Sequence, residues 1–278
     1  NRLTAGPRDP AFLRLVEVTL SLARALAAYD PQDVALELFN EPPPPCRWRD
    51  RTPWPDQLAA IYGVARATAP RLTLLVAGAC WASIEGLELL DPARFDANTV
   101  FVFHFYEPFV FTHQGFWGSD KYLQYAPPLG FPPDPMLRDS TIAAVERRIR
   151  AAADIPASDK DDQARQARRE LAAYFDKNQG ADFIARAFDG VAQWADRRRV
   201  PRERIMLGEF GAMKDVYGKI GAAPEDRARW IAATRMNAER AGFRWAAWSL
   251  TNTMGIVTGD LDGPLDPAAL KALGLKAP

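Results

Sequence analysis

Two glutamates stand where a lone carboxylate would be costly: Glu41 in LELFNEP and Glu209 in MLGEFG, each flanked by apolar residues. A carboxylate in such surroundings needs a partner or a task. Two carboxyl groups brought to roughly 5 to 5.5 Å could cleave a glycosidic bond with retention, one donating a proton to the leaving oxygen and the other attacking the anomeric carbon. Either glutamate alone is explained as well by a structural salt bridge. The two together, with Asn40 immediately ahead of the first, point to catalysis. His104 and Tyr106 lie two apart in TVFVFHFY, which as a strand puts both on one side and sends Phe101, Phe103 and Phe105 to the other. Trp248 in FRWAAWSL offers a flat face for a sugar, whereas Trp245 in the same run reads as core. Trp48, Trp54, Trp81 and Trp117 could equally line subsites or cap a rim. Glu37 reads as an interior residue tied to an arginine or a backbone amide. His104 and His113 lack a third ligand at a suitable spacing, so neither a metal nor a cofactor is expected.

The elements that must position these residues alternate. A helix over 10–29 opens the chain. Short apolar runs follow at 34–39, 72–77, 99–106, 204–210 and 243–250, with helical stretches at 54–69, 82–90, 224–241 and 267–273 between and after them. Each run is almost continuously apolar, as strands of a parallel sheet covered on both faces are. No glycine-rich phosphate loop follows any of them, which argues against a nucleotide-binding open sheet. The candidate residues fall at the C-terminal strand ends, where a (β/α)8 TIM barrel carries its chemistry. The expected fold is therefore α/β, a (β/α)8 TIM barrel within one catalytic domain spanning 1–278. The stretch 107–180 carries no strand signal, only charge-rich helical pieces at 140–153 and 162–175, and reads as an insertion over one rim. The segment ARQARRE (164–170) reads as a solvated helix face.

Lysine plus arginine (35) equals aspartate plus glutamate (35), so no global field draws in nucleic acid or an anionic membrane. No apolar run reaches the roughly 18 to 20 residues that span a bilayer. Cys46 and Cys80 sit in unrelated segments and match neither a disulfide framework nor a metal spacing, so a structural or idle role is expected.

Asn40-Glu41-Pro42, His104-x-Tyr106, Gly208-Glu209-Phe210-Gly211 and Trp248 occur in an order that resembles the ends of strands four, six, seven and eight in glycoside hydrolase family 5, the cellulase family. The likeness runs along the whole chain. It implies a retaining endo-β-1,4-glucanase with Glu41 as acid/base and Glu209 as nucleophile. It further implies Asn40 on the sugar 2-hydroxyl, His104 beside the acid/base, the Tyr106 hydroxyl steadying the nucleophile, and Trp248 stacking on sugar. β-Mannanase, exo-β-1,3-glucanase or an inactive sugar-binding remnant stay open. The partner implied is a polysaccharide or oligosaccharide met by a monomer outside the cell, secreted or periplasmic. Family members also carry an arginine ending the second strand and a histidine ending the third. No segment here holds them, so strands four to eight are expected without the first three, and such a barrel is at risk of instability or inactivity alone.

Overall fold

In the computed structural model, residues 9–43, 46, 53–116, 118, 120–126, 128–215, 218–258 and 263–276 are described. In chain order these form α1 (Pro10–Leu26), β1 (Ala35–Glu37), α2 (Trp54–Thr68), β2 (Thr73–Ala77), α3 (Ile84–Glu88), β3 (Thr99–His104) and α4 (Phe109–Thr112). There follow α5 (Arg138–Ala151), α6 (Lys160–Asp176), α7 (Ala181–Arg197), β4 (Ile205–Glu209), α8 (Pro224–Arg240), β5 (Arg244–Trp245) and α9 (Pro267–Ala272). The strands make one parallel sheet in the order β1-β2-β3-β4-β5. Neighbours in space are neighbours in sequence, the arrangement of part of a (β/α)8 barrel and not of a doubly wound sheet, whose strand order reverses. No helix among the described residues is long and apolar enough to cross a membrane.

The chain divides into two units. The first comprises Asn1–Phe105, Asp189–Glu209 and Ala241–Ala246, and holds the whole sheet. Register explains its two faces: Glu37 pairs with Leu75, Leu75 with Val100, and Val102 with Met206, so these side chains share one face. Ala77, Ala82, Val100 and Val102 pack together there, with Leu75 and Met206 half-covered. The alternate residues Leu74, Val76, Phe101, Phe103, Ile205 and Leu207 are buried on the other face, where Phe101 meets Trp194 edge-on at 5.8 Å. Phe101 and Phe103 thus face away from the small-residue cluster, as alternation predicts.

β1, β3 and β5 each stop two or more residues short of the apolar runs that announce them. β3 ends at His104, with a register shift between Phe103 and His104, so Tyr106 lies beyond the strand and alternation does not set its direction. β5 pairs only Arg244 and Trp245, although the Ala246 N–H still donates to Leu207 O at 2.9 Å. α7 was not singled out in the sequence, yet Ile184, Phe188, Val191 and Ala195 form a fully buried stripe along it at helical spacing.

Cys46 and Cys80 form a disulfide with Cα atoms 4.6 Å apart, which corrects the reading of two unrelated cysteines. Cys46 follows β1 and Cys80 follows β2, and parallel pairing of adjacent strands brings their C-terminal ends together. Separation in sequence was no guide to separation in space.

The second unit comprises Tyr106–Phe188, Phe210–Arg240 and Ala247–Pro278. α5 and α6 pack on each other, burying Ile142, Val145 and Ile149 of one and Ala164, Ala167 and Leu171 of the other. Arg165, Arg168 and Arg169 point to solvent, as the charged run predicts. Arg227 of α8 is buried, and burial holds its guanidinium below the usual arginine range. Its Nε donates to Ala212 O (2.9 Å) and its Nη2 to Met254 O (2.7 Å) and Gly255 O (3.0 Å), while Nη1 pairs with Asp266 at 3.2 Å. One cation therefore ties the segment after β4 to the segment after Trp248 and to the Asp266 cap of α9.

Candidate active site

Glu41, His104 and Glu209 converge at the strand ends of the first unit. One carboxylate oxygen from each glutamate and one ring nitrogen of His104 all lie within 4.8 Å of one another. His104 Nδ1 is 3.2 Å from Glu41 Oε1 and 3.5 Å from Glu209 Oε2. In the tautomer with hydrogen on Nδ1, the imidazole donates to Glu41 Oε1. The histidine side chain is 3% exposed, against 33% for Glu41 and 16% for Glu209. A buried imidazole thus underpins two carboxyls that solvent can reach. Among the described residues, these three are the one His/carboxylate cluster close enough to share a cation.

The local backbone explains the convergence. The shift at the end of β3 makes His104 the partner of Glu209 and skips Gly208. Phe105 N–H then donates to Glu209 O at 3.0 Å, extending the pairing by one bond. A Cβ on Gly208 would sit 2.5 Å from Val102 Cγ1 and 3.2 Å from the His104 ring, so only glycine lets the imidazole lie against β4. On the opposite side, the His104 N–H donates to Ala82 O at 2.7 Å.

Ala82 belongs to an unusual turn. Cys80, Trp81 and Ala82 have φ of 61°, 59° and 56°, and Glu41 has φ of 47°. Each non-glycine residue in this left-handed region costs on the order of 1 to 2 kcal/mol, so the surroundings must hold it there. Trp81 N–H donates to Pro42 O at 2.8 Å and Cys80 N–H to Pro43 O at 3.4 Å. The turn is thereby bonded to the chain just after Glu41 on one side and to His104 on the other. Ala82 is wholly buried and Cys80 nearly so, whereas Trp81 is 47% exposed. Trp54 is buried, its Nε1 donating to Ala77 O at 3.0 Å, and therefore lines no subsite. Trp48 and Trp117 lie outside the described residues.

Glu37 shares the face of the small-residue cluster. It was expected to meet an arginine or an amide, but its Oε1 is buried without a hydrogen-bond partner among the described residues. Burial raises its pKa above the usual 4.5; His104 opposes the shift, and Glu209 and Glu41 add to it. The folded protein therefore holds this proton more tightly than the unfolded chain does. The stability this gives is full below the unfolded value near 4.5 and is lost as pH rises through the higher folded value. Glu37→Gln is accordingly expected to narrow the difference in urea midpoint between pH 4 and pH 7. An unchanged difference would mean that Glu37 is solvated or paired.

Asn40 is exposed, immediately before Glu41. The remaining predicted residues belong to the second unit. The Tyr106 ring meets that of His113 edge-on at 5.3 Å, and His113 stacks on Phe109 at 3.7 Å. Burial pushes the His113 pKa down to about 3, so the imidazole is neutral above that pH, and its Nδ1 lies 2.9 Å from Thr112 Oγ1. His113, considered in the sequence only as a metal ligand, thus braces Tyr106. Trp248 is 45% exposed, its N–H donating to Phe210 O at 2.9 Å, and its carbonyl lies where a Cβ on Gly211 would be, 2.2 Å away. The glycine of GEFG is required by that approach.

Known proteins match this chain along its length. The family model described as cellulase (glycosyl hydrolase family 5) matches residues 14–254. Endoglucanase 3 of Fibrobacter succinogenes is 26% identical over 276 residues, covering 98% of this chain and 37% of the relative, so the chain spans well under half of that protein. A hyperthermophilic endo-β-1,4-glucanase solved in complex with substrate superimposes with a TM-score of 0.63 at 25% identity, over 96% of this chain and 67% of that one. Thermotoga maritima Cel5A in complex with mannotriose gives 0.65 at 19% identity, over 95% and 67%.

Proposed function

Since the chain belongs to glycosyl hydrolase family 5, the cellulases, we propose that it forms the catalytic part of a retaining glycosidase acting on β-1,4-glucan. The observation that carries this reading is the approach of Glu41 and Glu209, with oxygens within 4.8 Å of each other. Retaining enzymes hold their carboxyl groups at roughly 5 to 5.5 Å, whereas inverting ones leave roughly 6.5 to 9.5 Å for a water. Glu209, the less exposed, is the nucleophile, and Glu41, open to solvent, is the acid/base.

In the first step a Glu209 oxygen bonds to the anomeric carbon as the bond to the leaving oxygen breaks, and Glu41 passes its proton to that oxygen. Glu41, now a carboxylate, takes a proton from water, whose oxygen displaces Glu209 from the anomeric carbon. His104, whose Nδ1 lies near both acids, holds their spacing through both steps. Asn40 serves the sugar 2-hydroxyl and the exposed face of Trp81 a sugar ring. The disulfide supports a secreted or periplasmic location, because such bonds persist in oxidising compartments.

NMR of a cello-oligosaccharide digest tests the mechanism. The β-anomer is expected to appear first, with the α-anomer growing in by mutarotation; an α-anomer at the outset would overturn it. The mannotriose bound to Cel5A favours one second reading, a β-mannan substrate, which a higher kcat/KM on mannotetraose than on cellotetraose would establish.

A further inference from the structure

The Cys80–Ala82 turn is held in a rarely populated backbone state, yet it carries the exposed Trp81 and bonds directly to both sides of the carboxylate cluster. Hydrogen bonds alone connect it to Pro42, Pro43 and His104. The covalent link across to the segment after Glu41 is the bond from Cys80 to Cys46, and Cys46 lies five residues beyond Glu41 on the segment that Trp81 and Cys80 grip through Pro42 and Pro43. The staple thus closes a ring that begins one residue after Glu41: Pro42 to Cys46 along the chain, Cys46 to Cys80 through sulfur, Cys80 to Trp81, and the Trp81 N–H back to Pro42 O. Gly78 and Gly86 fix the base of the turn, since a Cβ on Gly78 would lie 2.0 Å from Gly86 O and no side chain fits between them. The turn is therefore anchored below by backbone packing and above by the disulfide.

We infer that Cys46 and Cys80 are positioning residues for substrate: their disulfide keeps the left-handed turn in place so that the Trp81 indole presents a fixed stacking face beside the acid/base. Reduction adds two electrons and two protons, converting the bond into two thiols, and an external dithiol supplies them. The turn then loses its covalent constraint and relaxes from a conformation that three consecutive non-glycine residues do not adopt unaided. Glu41 lies just outside the ring and keeps its side-chain bond to His104, whose pairing with Glu209 across β3 and β4 does not pass through the disulfide. The effect belongs to binding, and it rests on the glycosidase reading given above.

The test compares oxidised protein, dithiothreitol-treated protein and Cys46→Ser, each with and without Trp81→Ala. On cellotetraose, reduction and Cys46→Ser are each expected to raise KM about fivefold to tenfold, with kcat changed less than twofold. Trp81→Ala is expected to raise KM similarly, and removing the disulfide in that background to add nothing, as for two changes acting through one contact. Full additivity, an unchanged KM, or an equal loss of kcat would overturn the inference. Amide hydrogen exchange supplies an arm that needs no substrate: the Trp81 and His104 amides, bonded to Pro42 O and Ala82 O, are expected to exchange faster on reduction. Unchanged exchange refutes the positioning role whatever the activity, whereas faster exchange in a protein that hydrolyses no glycan upholds it and refutes the glycosidase reading instead.

Discussion

Glu209→Ala is expected to lower kcat on an aryl β-cellobioside by on the order of 10^5-fold, because it removes the atom that forms the covalent intermediate. Structural damage should be small. The side chain is partly exposed, and β4 is held by its pairing with β3 and by the Phe105 N–H bond to the backbone oxygen of residue 209, which alanine keeps. Truncation removes the carboxylate beside His104 and so opens the anomeric face to a small anion. Azide is expected to restore turnover by attacking the anomeric carbon from the vacated side, with Glu41 still protonating the leaving group. That single displacement inverts configuration, so the product is the α-glycosyl azide. Identifying it by NMR assigns the nucleophile, whereas a loss of activity alone would also follow from misfolding. A variant that azide does not rescue, or that yields the β-azide, would remove Glu209 from the role.

Much of this site was legible because its residues break a pattern. Strands of a parallel sheet are apolar throughout, so Glu41 and Glu209 stand out at the ends of LELFNEP and MLGEFG. Gly208 and Gly211 were visible as motif letters, and the structure supplies their reasons: the His104 ring against one and the Trp248 carbonyl against the other. What depends on register was not legible. The shift at Phe103/His104, which sets His104 opposite Glu209, leaves no mark in composition, and the alternation argument therefore carried Tyr106 one residue pair too far. The Cys46–Cys80 bond was hidden for a related reason, since it becomes visible only when two parallel strands are laid side by side. Glu37 shows the converse: its place on the inward face was readable from period-2 spacing, but that its Oε1 has no hydrogen-bond partner among the described residues was not. The stripe on α7 is legible in the sequence at helical spacing, as Ile184, Phe188, Val191 and Ala195.

Glu41→Gln separates the acid/base from the nucleophile by a different signature. Glutamine keeps the shape and an oxygen that can accept from His104 Nδ1, 3.2 Å away in the parent, but it can neither give nor take the catalytic proton. For cellotetraose, whose leaving alcohol needs that proton, kcat/KM is expected to fall by about 10^2 to 10^4-fold. For a dinitrophenyl β-cellobioside, whose leaving group departs unprotonated, the first step should be nearly intact and the second slow, because no base activates water. The glycosyl-enzyme then accumulates, visible as a burst of dinitrophenol equal to the enzyme concentration and as added mass on the peptide containing Glu209. Azide, which needs no base, is expected to speed turnover here too, but it attacks an intermediate already inverted once, so the product is the β-glycosyl azide. The two variants thus give opposite anomers with one reagent. If both gave the same anomer, the pair of roles would be wrong, and if the anomers were exchanged, Glu41 and Glu209 would trade places while the paired-carboxylate mechanism stood.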